Sequence, residues 1–330
     1  MIRASLTAIA MAAFAVAAPA AAATIEFSPA VVFDMGGKFD KSFNEAAYAG
    51  AERFKKESGV AYREFEVTQE AQRDQGLRNM ARRGANMIIA IGFAQATPLE
   101  KVAKEYKHAR FTIIDAVVDL PNVQSVVFKE HEGSFLVGMA AAMASKTNKV
   151  GFIGGMDIPL IRKFALGYVE GAKFVNPAVE VLQNMTGTTP AAWNDPTKGG
   201  ELARSQFDRG ADVIYAAAGG TGVGVLQAAK DGKKFAIGVD SNQNYLHPGT
   251  MLTSMVKRVD VAVYEAFKSA QANKWKGGIS NLGLKEDGVG YSLDDHNKSL
   301  ITADMQKRLD QARTDIIAGK LKVTDYTAKK

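Results

Sequence analysis

The chain has 330 residues, long enough for about two domains with a core in each, and its 47% hydrophobic and 23% charged composition is that of a globular protein. Lysine and arginine number 41 against 35 aspartate and glutamate; the resulting +6 is spread along the chain, as a solvated surface requires, and does not call for nucleic acid as a partner. There is no cysteine, which excludes disulfides and thiol nucleophiles and argues against a cysteine-borne lipid anchor.

The first residues, "MIRASLTAIAMAAFAVAAPAAAATIEF", combine one early charge at Arg3, an apolar run from Leu6 to Val16 and a small-residue stretch ending near Ala23. This pattern predicts a cleaved secretory signal over residues 1–23. The apolar run is short for a membrane span and no later segment is apolar enough to be one. The expectation is an exported, periplasmic protein that is not a lipoprotein and does not insert into a membrane.

From Ala30 onward, short β-branched runs alternate with longer amphipathic segments, the pattern of parallel sheets flanked by helices. The strand candidates are "AVVFD", "MIIAIG", "FTIIDA", "KVGFIGG", "DVIYAAA" and "KFAIGVD". They fall into two similar series. "FNEAAYAGAERF" from Phe43 resembles "FALGYVEGAKF" from Phe164, with Gly50 and Gly171 each seven residues after the phenylalanine. Likewise "RRGANMIIA" matches "DRGADVIYA", pairing Gly84 with Gly210, and Asp115 and Asp240 follow at nearly equal spacing. One lobe plan has been used twice. The fold class is therefore α/β, two Rossmann-like lobes with an interlobe cleft. Lobe 1 is expected over residues 27–127 plus 241–277, and lobe 2 over 128–240 plus 278–330.

The glycine-rich stretch "YAAAGGTGVGVLQAAKDG" sits where a phosphate-binding turn would, yet no frame meets the n, n+2, n+5 spacing of a dinucleotide fingerprint and no Gly-Lys-Ser/Thr closes it. With Gly92 at the corresponding turn of the first series, it reads instead as one wall of the cleft, where glycine lets backbone approach a ligand. No cofactor is expected.

Open α/β sheets bind ligands outside the carboxyl ends of their strands, where Asp34, Asp115 and Asp240 are predicted to converge. Ionised carboxylates only accept hydrogen bonds, so they suit ligands rich in hydroxyl and N–H groups. Phe43 and Phe93, with Trp193 a further candidate, supply rings that stack on a flat heterocycle or sugar. Asn44 adjoins Phe43 and completes this part of the candidate site, and Lys257 is placed to pair with Asp240. His108, His131, His247 and His296 show no metal-ligand spacing, and Ser42 has no evident base partner, so neither a metal site nor catalytic residues are expected. An exported binder is favoured over an exported hydrolase.

The segments "VVFDMGGKFDKSFNEAAYAGA", "VGFIGGMDIPLIRKFALGYVEGAKFVNP", "WNDPTKGGELARSQFDRGADVIYAAAGGTGVGV" and "AIGVDSNQ" resemble, in order, successive motifs of the basic membrane protein family of ABC-transporter substrate-binding proteins, over about Phe27 to Phe267. The resemblance implies a type I periplasmic-binding-protein fold with a hinge, a monomer delivering its ligand to an inner-membrane ABC permease, and a purine nucleoside or related nucleobase compound as that ligand. It implies Asp34 and Phe43 as base contacts, Phe93 and Asp115 as neighbouring pocket positions, Gly220 as a close backbone contact, and Asp240 and Lys257 as partners of the ribose hydroxyls. Tyr215 stands near a second stacking aromatic of the family. Many members are lipoproteins anchored through a cysteine that this chain does not have. A sugar or flavin ligand remains an alternative, as does a secreted nucleoside hydrolase using calcium, although the aspartates are spread over separate strand units.

Overall fold

Apolar runs with β-branched residues become central strands, and the amphipathic stretches between them become helices laid on the sheet faces. The computed structural model describes residues 26–329; the predicted signal segment, residues 1–23, lies outside the described residues. In chain order the elements are β1 (Pro29–Phe33), α1 (Phe43–Ser58), β2 (Arg63–Glu66), α2 (Gln72–Arg82), β3 (Met87–Ile91), α3 (Ala96–Glu105), β4 (Arg110–Ile114), β5 (Val123–Phe128) and α4 (Glu130–Ala144). They continue as β6 (Lys149–Met156), α5 (Pro159–Val175), β7 (Glu180–Gly187), α6 (Pro196–Asp208), β8 (Val213–Ala217), α7 (Gly222–Asp231), β9 (Phe235–Asp240) and β10 (Met251–Lys257). The last elements are α8 (Val259–Gln271), β11 (Gly278–Leu282), β12 (Val289–Tyr291) and α9 (Ala303–Ile317).

Two six-stranded sheets result, ordered β11-β5-β4-β3-β1-β2 and β12-β10-β9-β8-β6-β7. The orders correspond over five strands, so the repeat read from Phe43 and Phe164 extends through most of each sheet; it ends at the edge, where β11 runs parallel to β5 but β12 runs antiparallel to β10. The six runs read from sequence become β1, β3, β4, β6, β8 and β9, the central strands. The others lack a continuous apolar run: β2 is "REFE" with alternating exposure, and β11 is an exposed edge.

The expected lobe boundaries need correction. β10 pairs with β9 and β12, so residues 251–257 belong to the second sheet, while β11 pairs with β5 in the first. The chain thus crosses between lobes after β5, after β10 and between β11 and β12. Backbone pairing, which the expected boundaries at 240 and 277 ignored, decides lobe membership.

Each sheet is covered on both faces. In β3, Met87, Ile89 and Ile91 face one core and Ile88 and Ala90 the other, as the two-residue period of a strand requires. Each fully buried large aliphatic or aromatic side chain here contributes about 1.5–3 kcal/mol. The helices that follow the first two crossovers change lobes with the chain: α8 packs on α1 and α4 on α5. At both crossings the repeat glycines allow backbone contact, since a Cβ on Gly50 would stand 2.2 Å from the Asp260 carbonyl oxygen and one on Gly171 would stand 1.9 Å from that of Phe135. The glycine-rich turn serves packing too, because a Cβ on Gly224 would lie 1.8 Å from the Pro196 carbonyl oxygen of α6.

Candidate ligand-binding site

The carboxyl ends of both sheets open onto one shared cavity between the lobes. Asp34, Phe43, Asn44, Phe93, Asp115, Trp193, Asp240 and Lys257 all line it. Gly220 does not; its neighbour Gly219 does, while Gly220 borders a shallower recess at the cleft mouth with Gly36 and Lys38. The turn packs Gly220 against the Trp193 backbone, where a Cβ would lie 3.2 Å from the Trp193 carbonyl oxygen.

Asp34 follows β1. Its Oδ1 accepts from Arg73 Nε at 2.9 Å, and its carboxylate fills the space a side chain at Gly92 would take: a Cβ there would come within 2.9 Å of Oδ2. Burial raises the Asp34 pKa, and the Arg73 guanidinium offsets part of that rise. The Asn44 amide is engaged by the loop itself, donating to the Asp34 and Gly37 carbonyls at 3.2 and 3.3 Å. Asn44 therefore shapes the turn as well as the wall. Asp40 performs the capping at the start of α1, accepting from the backbone N–H groups of Ser42, Asn44 and Glu45 at 2.8, 3.0 and 3.1 Å. Burial nevertheless pushes its pKa up to about 7.

Asp115 and Asp240 end equivalent strands, and both hold left-handed backbone, with φ of 71° and 62°. Aspartate tolerates that region better than most residues. Lys257 does not pair directly with Asp240. The register sets Val256, not Lys257, opposite Asp240, and the Lys257 ammonium reaches Asp115 at 2.6 Å and Glu130 at 3.1 Å. Asp240 instead accepts from Ser42 Oγ of the other lobe at 2.6 Å. Two further bonds join the lobes beside it: Ser241 Oγ donates to the Ser42 carbonyl at 2.9 Å, and Gln243 Nε2 to that of Lys41 at 2.9 Å.

Burial opposes the charge on Lys257, but Asp115, Glu130 and Asp240 outweigh it and hold its pKa above the ordinary value. Asp115 is pushed up to about 6 by burial, against the pull of Lys257. Its Oδ1 is buried and carries no hydrogen bond. It is an acceptor without a donor in a cavity wall.

The rings come from both lobes. Phe43 and Phe164 lie 5.2 and 5.5 Å from Lys257 Nζ, and the Trp193 ring rests on Gly155, where a Cβ would come within 2.0 Å of it. Tyr215, placed by resemblance near a stacking position, is fully buried in the second lobe, 5.3 Å from Tyr168 and 5.5 Å from Phe152, and does not line the cavity. Its strand β8 directs it into the core. Sequence reasoning missed Arg73, Glu130, Leu160, Ile161 and Phe164. For Phe164 a signal existed, because it is the repeat partner of Phe43.

Two α/β lobes joined by three crossovers, with a shared cavity of carboxylates and rings at their strand ends, define a type I periplasmic-binding-protein fold, the class of solute receptors. Residues 27–326 match the family described as Bmp, ABC transporter substrate-binding protein PnrA-like, and the chain belongs to that family. An uncharacterized lipoprotein of Pyrococcus horikoshii is 39% identical over 278 residues, 79% of this chain and 68% of the relative. The ABC transporter nucleoside-binding protein BmpA of Lactococcus lactis is 33% identical over 321 residues, 90% of this chain and 89% of its own. The crystal structure of an ABC transporter solute-binding protein from Aeropyrum pernix superposes with a TM-score of 0.84 at 32% identity, covering 91% of this chain and 93% of that one. The protein is an ABC-transporter substrate-binding protein, with a small-molecule ligand and a permease as its partners; its family consists of binding proteins, not enzymes.

One expectation is overturned by these relatives. The periplasmic, non-lipoprotein location inferred from the lack of cysteine conflicts with a relative of this identity that is named a lipoprotein, and it is withdrawn. Among the described residues no helix is long and apolar enough to cross a membrane.

Proposed function

We propose that the protein captures a purine nucleoside, or a related nucleobase compound, as a monomer and presents it to its permease. The observation that carries this reading is the composition of the interlobe cavity: rings from both lobes, Phe43 and Phe93 from one and Phe164 and Trp193 from the other, beside carboxylates that only accept hydrogen bonds. A flat heterocycle fits between rings, and a diol or ring N–H satisfies the acceptors. In this reading Asp34 takes the base edge, and Asp240 with Lys257 takes the ribose hydroxyls. The nucleoside-binding relative from Lactococcus lactis supports the same ligand class.

Calorimetric titration of ligand-stripped protein with inosine, adenosine, guanosine and the free bases tests the proposal. A dedicated receptor is expected to bind at least one of them far more tightly than millimolar, that is, with well over about 4 kcal/mol. Binding of sugars or flavins in their place, or mass-spectrometric detection of such a compound in the protein as purified, overturns it.

A further inference from the structure

Behind the cavity wall lies a chain of buried charges that the binding reading does not itself use. Glu130, the first residue of α4, is 0% exposed and stands between two lysines, 3.1 Å from Lys257 Nζ and 2.6 Å from Lys163 Nζ. Lys163 in turn donates to the carbonyl oxygen of Phe128, the last residue of β5 before the first crossover, at 2.6 Å. A buried carboxylate costs several kcal/mol to desolvate unless it is fully paired. Burial opposes the charge on Glu130, yet the two lysines together hold its pKa below the ordinary carboxylate value.

The two carboxylates that touch Lys257 belong to different lobes. Asp115 directly follows β4 of the first sheet, whereas Glu130 begins a helix packed on β10, the strand that carries Lys257. The Asp115 contact therefore spans the two lobes, whereas the Glu130 contact lies within the lobe that carries Lys257.

We propose that Glu130 is the positioning residue that keeps the Lys257 ammonium in place in the ligand-free receptor. This rests on the reading of Lys257 as a ligand partner. Its benefit is preorganisation: a flexible lysine side chain already held at the cavity wall loses less freedom when ligand arrives.

The alternative is that Glu130 only neutralises Lys163. The charge-balanced pair of substitutions Glu130→Gln and Lys163→Met separates the two and avoids stranding a buried lysine, so it folds where Glu130→Gln alone is at risk. Two measurements are made on the wild type, on Lys163→Met and on the double variant. The first is nitrogen-15 NMR of the lysine ammonium groups without ligand, with the Lys257 signal assigned by its loss in Lys257→Met; the second is calorimetric titration with inosine.

The expected result is that the Lys257 signal persists in Lys163→Met and is lost to solvent exchange in the double variant, with inosine affinity reduced about tenfold or more only in the latter. Persistence of the wild-type Lys257 signal in the double variant overturns the proposal, as does wild-type inosine affinity there. If wild-type protein does not bind inosine, that ligand assignment fails by itself and the ligand-free NMR comparison still decides the role of Glu130.

Discussion

Phe43 and Phe164 occupy equivalent positions of the repeated helices α1 and α5 and close on the same lysine, their rings 5.2 and 5.5 Å from Lys257 Nζ. Each lies seven residues before the glycine that lets its helix touch the helix exchanged from the other lobe. One motif therefore sets both a helix crossing and a cavity ring, once per lobe. The two rings differ in burial, since Phe164 is 3% exposed within the large core and Phe43 is half-buried. Phe43→Ala is expected to cost roughly 1–3 kcal/mol of nucleoside binding, the range for loss of one base-stacking ring, with little change in urea midpoint. Phe164→Ala is expected to lose binding as well and to cost about 3–5 kcal/mol of stability. Equal urea midpoints for the two variants would contradict the assignment.

The left-handed backbone of Asp240 makes the choice of substitution matter. Asp240→Asn retains a residue that tolerates positive φ, and is expected to fold normally while losing about 2 kcal/mol of nucleoside affinity, as removal of a charged acceptor does. Asp240→Ala is expected to add backbone strain of about 1 kcal/mol on the stability side. A 2′,3′-dideoxynucleoside should bind the wild type about as weakly as the nucleoside binds Asp240→Asn, and the two losses should not add. Full additivity in the calorimetric cycle would remove Asp240 from the ribose site.

Acid should move stability and binding in opposite directions. Burial pushes the Asp40 carboxyl up to about 7 and the Asp115 carboxyl up to about 6 from an ordinary 3.8, so the fold holds their protons more tightly than the unfolded chain does. Their contribution to stability is fully present below the ordinary value and is lost as pH rises through the folded one. Glu130, held below its ordinary 4.5, has the opposite sign and loses its contribution only in stronger acid. The ligand-free protein is thus expected to gain urea resistance between pH 8 and pH 5, a slope that Asp40→Asn should flatten. Nucleoside affinity should fall across pH 6, because protonated Asp115 no longer holds Lys257 by charge. Parallel pH profiles of urea midpoint and affinity would refute this.

At the helix crossings, Gly50→Ala and Gly171→Ala each place a methyl group on a carbonyl oxygen of the partner helix. Each is expected to destabilise by about 1–3 kcal/mol in urea denaturation, the usual cost of overpacking. Gly290, with nothing within 4 Å and no positive φ, is the matched control, and its alanine variant should unfold close to the wild type.

The central strands and the aspartates that end them were legible because they depend on local order: an apolar run sets a buried strand, and the turn after it sets the residue at the cavity rim. β5 and β10 escaped notice because Gln124, Ser125, Thr253 and Ser254 interrupt their apolar pattern. Ser125, Thr253 and Ser254 are buried in specific hydrogen bonds, such as Thr253 Oγ1 to the Ser292 carbonyl at 2.7 Å.

By itself the sequence determined that one α/β lobe plan was used twice, with carboxylates at equivalent strand ends and phenylalanines at equivalent helix positions, since periodicity and spacing are properties of the chain read locally. Only the tertiary structure decided that Lys257 pairs with Asp115 and Glu130 instead of Asp240, that Ser42 reaches Asp240 across the lobes, and that Tyr215 turns into the core. Those outcomes depend on strand register and on where three crossovers bring distant segments together. Charges 142 residues apart in sequence, such as Asp115 and Lys257, meet at 2.6 Å because the folded backbone places them there and burial leaves them no better partner.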